Sequence, residues 1–233
     1  MSEDITIWPI KPYRMIIAGK TECGKTFFLK RLLKETYHID PFDKIFIFAP
    51  PLSLEQPSYQ EIEEMYGSKN VFKYPGIPTP EDSDAIFDAI KSDRDENIKK
   101  KLPFSVLFIV DDLMDKVGKG KFVENVMTAG SHHLDISIVF LQQKHFLDGA
   151  GRTSRLNCSY LVCYQLPQDK DSFKRIARQI EPDNCQKLTN KFIEITKKEY
   201  NPMIIDFRAQ SKNWPKQFHY RNGWWDKGIK FDF

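Results

Sequence analysis

The sequence predicts an α/β fold in which helices cover both faces of a mainly parallel central sheet. Short apolar runs typical of buried strands alternate along the chain with segments whose apolar residues have helical spacing. The run 105–110 (SVLFIV) is apolar after its first residue, as expected for a central parallel strand covered on both faces. The 233 residues are 41% hydrophobic and 13% aromatic, which is enough for a packed core.

The individual elements follow from these patterns. Strands are predicted at 13–18, 44–49, 105–110, 136–141, 160–164 and 203–207. Helices are predicted at about 24–35, 59–66, 121–129, 169–179 and 184–191. A further helix is expected to begin with Thr79 as its N-cap and Pro80 in its first turn. Because no repeat or linker interrupts the pattern, we expect a single domain over 1–233, with a core at about 13–165 and a C-terminal extension at about 166–233.

Charge is distributed unevenly along the chain. The net charge is +3, but residues 144–233 hold 17 Lys and Arg against 10 Asp and Glu, an excess of seven. The first 143 residues hold 18 against 22 and are slightly acidic. A basic C-terminal region favours a polyanionic partner, although ordinary solvated lysines explain the charge equally well.

Cysteine usage and hydropathy indicate an intracellular protein. The four cysteines (Cys23, Cys158, Cys163 and Cys185) have no paired C-x-x-C spacing, which disfavours a zinc or redox site and favours a reducing compartment. The first residues lack the pattern of a signal peptide, and the apolar runs are too short for a membrane span. We therefore expect no membrane association.

Residues 19–26 fit the phosphate-binding pattern G-x-x-x-x-G-K-[ST], directly between a predicted strand and a predicted helix. Two glycines let the backbone wrap tightly, so that N–H groups and the helix N-terminus face the phosphates. The residues expected to bind the nucleotide are Gly19, Lys20, Thr21, Glu22, Cys23, Gly24, Lys25 and Thr26. Lys25 would contact the β- and γ-phosphates, and the Thr26 hydroxyl would ligate Mg²⁺. The sequence therefore predicts a site for ATP and Mg²⁺.

Two aspartates end the apolar strand at 105–110. Such a site needs a carboxylate near the metal, and Asp111 would hold the Mg²⁺ water shell while Asp112 acts as general base toward water. The other interpretation is that one or both aspartates cap the following turn.

Gln142 and Gln143 end the predicted strand at 136–141, and an amide there points at the same crevice. We expect Gln143, ahead of Gln142, to contact the γ-phosphate or the attacking water as a sensor, although polar residues can simply mark a strand's exit. Arg152 and Arg155 follow, and either could act as an arginine finger on a neighbouring subunit's ATP. Surface arginines are common, so this role depends on the resemblance described next.

The order of these motifs resembles the poxvirus-type genome-packaging ATPases, a branch of the FtsK–HerA DNA translocases found in large DNA viruses, virophages and Polinton-like elements. The resemblance covers about residues 13–165 and is carried by GKTECGKT, FSVLFIVDD, ISIVFLQQKHF and RTSRLNCSYLV. It implies a RecA-like P-loop fold with strand order 5-1-4-3-2. The matched positions are Lys25 and Thr26 for Walker A, Asp111 and Asp112 for Walker B, Gln143 for the sensor, and Arg152 or Arg155 for the finger. One departure is Asp112, where the family more often has Glu.

The resemblance also implies an assembly and partners. The chain would form a homo-oligomeric ring, a hexamer or pentamer, with active sites between subunits. ATP hydrolysis would drive double-stranded DNA into a preformed capsid, with a capsid or portal-vertex protein as partner. The protein would act at the intracellular site of virion assembly, with association with the virion as a further option.

Two alternatives come from other classes of protein. A nucleotide or small-molecule kinase would need an arginine-rich lid and an acceptor pocket, and the sequence has no clear lid. A non-hydrolysing, ATP-dependent assembly factor is the second alternative, because Asp112 is a shorter arm than glutamate and would be a weaker base.

Overall fold

The computed structural model describes residues 4–5, 9–113, 122, 126, 134–145, 157–208, 217–221 and 228–231. The strands are β1 (Asp4–Ile5), β2 (Arg14–Ala18), β3 (Lys44–Ala49), β4 (Val71–Pro75), β5 (Val106–Asp111), β6 (Ile136–Gln142), β7 (Tyr160–Cys163), β8 (Met203–Asp206), β9 (Gln217–Arg221) and β10 (Gly228–Phe231). The helices are α1 (Lys25–Thr36), α2 (Pro51–Leu54), α3 (Pro57–Tyr66), α4 (Pro80–Lys99), α5 (Lys170–Ile180) and α6 (Cys185–Thr196).

In the described part of the chain, one sheet contains all the strands in the order β1-β10-β9-β8-β7-β2-β6-β5-β3-β4. Neighbouring strands from β7 to β4 are parallel to each other. The strands from β8 to β1 pair in antiparallel fashion and widen the sheet beyond its predicted core. The predicted α/β class is confirmed, and so is the strand predicted at 203–207, which is β8.

Helices cover both faces of the sheet. Because successive side chains of a strand point to opposite faces, Ile45 and Ile47 of β3 pack with α1 and α3. Phe46 and Phe48 of the same strand pack in the cluster that includes α4, α5 and α6. Strands buried on both sides explain the continuous apolar runs of the sequence.

The helix start at Thr79 is confirmed, since the Thr79 hydroxyl accepts a hydrogen bond from the backbone N–H of Asp82 at 3.1 Å. The prediction of elements missed strand β4, which among the described strands pairs with β3 alone and is mostly half-buried. An edge strand of this kind contains polar residues such as Lys73, so it lacks the apolar run that marks a central strand. Most of the helix predicted at 121–129 lies outside the described residues.

The parallel strands bring the predicted motifs to one edge of the sheet. Strand β6 lies between β2 and β5, with Gln142 opposite Ala18 and Leu141 opposite Asp111. Since carboxyl ends of parallel strands meet at the same edge, the loop after β2, the aspartates of β5 and the glutamines of β6 become neighbours.

Candidate active site

The loop at 19–26 is closely packed at its first glycine. A Cβ at Gly19 would lie 2.5 Å from the Cys23 sulfur and 2.6 Å from Cβ of Tyr164, so no larger residue fits without movement. The Gly19 N–H donates to the carbonyl of Gln142 at 3.0 Å, which joins the loop to β6. Gly24 has a φ of 94°, a left-handed conformation that glycine adopts without strain.

Helix α1 begins at the end of this loop with uncapped backbone donors. Its N-cap, Gly24, has no side chain for capping, and its first turn contains no acidic residue. The N–H groups and the partial positive charge of a helix N-terminus form an anion site. Lys25 Nζ donates to the carbonyls of Gly19 and Lys20, both at 2.9 Å, so the ammonium group lies over the loop. Loop, helix and lysine together suit a phosphate group.

The two aspartates have different surroundings. Asp111 is the last residue of β5 and is buried, whereas Asp112 is exposed. Burial raises the pKa of Asp111, although the Tyr59 hydrogen bond and the charge of Lys25 oppose this rise. Asp112 has a φ of 52°, and its N–H donates to the carbonyl of Leu141 at 3.1 Å. Asp111 is therefore the inner carboxylate and Asp112 the outer one.

The two glutamines are also separated by burial. Gln142 is buried, and its side-chain N–H donates to the carbonyl of Lys144 at 2.7 Å. Gln143 is exposed, and its Nε2 donates to both carboxylate oxygens of Asp112, at 3.0 and 2.8 Å. Of the two amides, Gln143 is thus the one that contacts the outer carboxylate.

A cleft of about 420 Å³ joins these groups. Eight of the predicted site residues border it: Thr21, Glu22, Gly24, Lys25, Thr26, Asp111, Asp112 and Gln143. The opposite wall contains Ser53 and Gln56, from α2 and the start of α3. This wall was missed from the sequence, because no element was predicted between the strand at 44–49 and the helix at 59–66. Tyr59 of α3, which donates its hydroxyl to Oδ2 of Asp111 at 2.7 Å, was missed as well.

The donor atoms in the cleft fit Mg²⁺. The Thr26 hydroxyl and the Asp111 carboxylate are hard oxygen ligands, and Tyr59 contacts both. Among the described residues there is no cluster of three or more His, Cys, Asp or Glu able to hold a metal ion. This pair suits an ion that takes its other ligands from water and substrate phosphates, as Mg²⁺ does.

Some predicted residues lie outside the described part of the chain. These are Arg152 and Arg155, so the arginine finger stays a prediction.

None of the described helices is long and apolar enough to cross a membrane.

The sheet topology, the phosphate loop and the acidic strand end define a P-loop ATPase. The chain belongs to the Poxvirus A32 protein family, whose model matches residues 8–206. The predicted resemblance to poxvirus-type packaging ATPases is therefore confirmed.

Solved structures agree in fold. The chain is similar to the genome packaging NTPase B204 from Sulfolobus turreted icosahedral virus 2 in complex with ATP-gammaS, with 13% identity and a TM-score of 0.57 over 86% of this chain and 95% of that one. It is also similar to B204, the DNA-packaging ATPase from Sulfolobus turreted icosahedral virus, with 15% identity and a TM-score of 0.57 over the same shares of the two chains. No curated protein sequence matches the chain.

Proposed function

We propose that this ATPase moves double-stranded DNA into a preformed viral or transposon capsid, as a homo-oligomeric ring with active sites between subunits. The observation that carries the proposal is the contact of Gln143 with Asp112, made by a strand inserted between the phosphate-loop strand and the acidic strand. A motor must couple the state of its nucleotide to movement, and an amide at this place touches both the cleft and the sheet. Family membership and the packaging role printed for the B204 structures support the same function.

The residues of the cleft divide the chemistry of hydrolysis. The loop N–H groups and the Lys25 ammonium bind the β- and γ-phosphates and stabilise the charge that develops on them. Asp112 accepts a proton from the attacking water, and its exposure in the cleft lets water reach it. Thr26 and Asp111 would hold Mg²⁺, which would supply positive charge to neutralise the phosphates.

Gln143 connects the base with the γ-phosphate. Its amide nitrogen contacts Asp112 and borders the same cleft as Lys25. An amide N–H that moves from the carboxylate to a phosphate oxygen frees Asp112 to accept a proton. Hydrolysis would reverse this movement, and β6 would pass it to the sheet.

The proposed partners rest on charge and family. The excess of seven basic residues over 144–233 suits the DNA backbone. Arg152 or Arg155 would complete the site of a neighbour in a pentamer or hexamer, and a capsid or portal-vertex protein would hold the ring. The protein would act where virions assemble in the host cell. We further propose one domain over 1–233, because β8, β9 and β10 continue the sheet of the core.

The test measures ATP hydrolysis by the full chain with and without double-stranded DNA, at several salt concentrations. We expect DNA to stimulate turnover and high salt to remove the stimulation, because phosphate contacts weaken as salt rises. Light scattering should show a ring when DNA and nucleotide are both present. ATP turnover that requires a small-molecule phosphate acceptor would contradict the proposal. So would turnover that DNA does not change, in a chain that still binds ATP.

A further inference from the structure

Tyr59 lies outside every motif of the sequence and yet contacts both residues assigned to the metal. Its side chain is 0% exposed, and its hydroxyl donates to Oδ2 of Asp111 at 2.7 Å. The Thr26 side chain is close enough to this hydroxyl to influence its pKa. A phenol has one hydrogen, and here Asp111 receives it, so the Tyr59 oxygen can act toward Thr26 only as an acceptor.

We propose that Tyr59 is a positioning residue for Mg²⁺, which turns the free lone pairs of Thr26 and Asp111 toward the cleft. A hydroxyl that ligates a cation must direct its hydrogen elsewhere, and Tyr59 accepts that hydrogen. Asp111 gives Oδ2 to Tyr59 and keeps Oδ1 for the ion or its water. Such outer partners of metal ligands set ligand orientation and contribute to metal affinity. This inference rests on the proposed assignment of Thr26 and Asp111 to Mg²⁺.

Packing of α3 against α1 fixes the position of the Tyr59 hydroxyl. Lys30 of α1 forms an ion pair with Glu61 of α3 at 2.8 Å. At the C-terminal ends of the two helices, the ring of Tyr37, the residue after α1, meets the ring of Tyr66 edge to face, with centroids 5.0 Å apart. The packing of the two helices therefore holds the Tyr59 hydroxyl in one position. Preorganisation of a site requires side chains that are held in this way.

Helix α3 thereby connects the metal ligands, which lie beside Tyr59, with the wall of the cleft that contains Gln56. Gln56, at the start of α3, borders the cleft directly. Binding of Mg²⁺ by Thr26 and Asp111 would tighten the hydrogen bonds to Tyr59 and so hold this wall in place.

The variant Tyr59→Phe removes the hydroxyl and keeps the ring. Titration calorimetry with ATPγS, in Mg²⁺ and separately in EDTA, measures how much the ion adds to nucleotide affinity. We expect the Mg²⁺-dependent part to fall about 10- to 100-fold, while affinity in EDTA stays within about twofold of wild type. Each variant is compared with itself in Mg²⁺ and in EDTA. A general loss of stability therefore lowers both affinities and cancels from their ratio.

Tyr66→Phe is the matched control, since it removes a second buried tyrosine hydroxyl from the same helix, away from the cleft. Its Mg²⁺ dependence should equal that of wild type. If wild type gains affinity with Mg²⁺ and both variants gain equally, Tyr59 has no positioning role. If wild type itself gains nothing, the metal assignment and this inference are both wrong.

Hydrogen exchange of the wild-type chain tests the inference without any variant. Adding Mg²⁺ to the ATPγS complex should increase amide protection in peptides that cover α3 more than in peptides that cover α4. Equal protection of α3 with and without Mg²⁺ would overturn the link, even if Tyr59→Phe did not fold.

Discussion

We expect the buried side chain of His145, just after strand β6, to make the stability of this protein sensitive to acid. His145 is 2% exposed and lies two residues after Gln143. Its Nε2 donates to the carbonyl of Tyr164 at 2.8 Å, and its Nδ1 lies 2.7 Å from the Ser172 hydroxyl. These bonds connect the end of β6 to the segment after β7 and to α5.

Burial lowers the pKa of His145 from 6.5 to about 4, although the Tyr164 carbonyl and the charge of Asp169 oppose the fall. The folded chain therefore binds fewer protons here than the unfolded chain. Stability from neutral His145 is fully present above pH 6.5 and is lost as pH falls toward 4. At 1.36 kcal/mol per pKa unit, the loss amounts to about 3 kcal/mol.

The assay is urea unfolding between pH 7.5 and 4, followed by circular dichroism, for wild type and His145→Gln. The variant keeps an N–H donor but cannot titrate, so its stability should fall less than that of wild type by about 3 kcal/mol across this range. His38→Gln, at an exposed position just after α1, is the control for the loss of a histidine side chain. A constant difference between wild type and His145→Gln at every pH would refute the reasoning.

The remaining predictions concern the loop and the neighbouring subunit. Lys25→Ala should abolish ATP hydrolysis, since the phosphates lose their ammonium partner; unchanged turnover would remove the loop from the mechanism. Mixing Lys25→Ala subunits with Arg155→Ala subunits should restore some activity if the finger acts on a neighbour, and no recovery in this or the Arg152→Ala mixture would speak against shared sites. Gly19→Ala should lower the free energy of unfolding by about 1–3 kcal/mol, because its Cβ would lie 2.5 Å from the Cys23 sulfur; an unchanged urea midpoint would contradict this contact.

Much of the fold could be predicted because its signals are local. The strands β3 and β5 are apolar apart from Lys44 at the start of one and Asp111 at the end of the other, and burial on both faces explains that composition. The start of α4 was predicted from Thr79 and Pro80, which act within one turn of the chain. Strand β4 was missed because an edge strand is only half-buried and carries no such signal.

The candidate site divides in the same way. Residues 19–26 form one continuous motif, so the phosphate loop could be predicted from spacing alone. The sequence favoured Gln143 over Gln142 without deciding between them. Only the structure shows that the Gln143 amide is exposed and contacts Asp112. Tyr59 could not be found, since 52 residues separate it from Asp111.

By itself the sequence determined the class of fold, the phosphate loop and the acidic strand end, because each depends on neighbours in the chain and on the period of apolar residues. The tertiary structure decided which of the two carboxylates lies inside, which of the two amides contacts the outer carboxylate, and which tyrosine donates to the inner one. These outcomes depend on how β6 inserts between β2 and β5 and on how α3 packs against α1. Such contacts join residues far apart in sequence, so no local pattern records them.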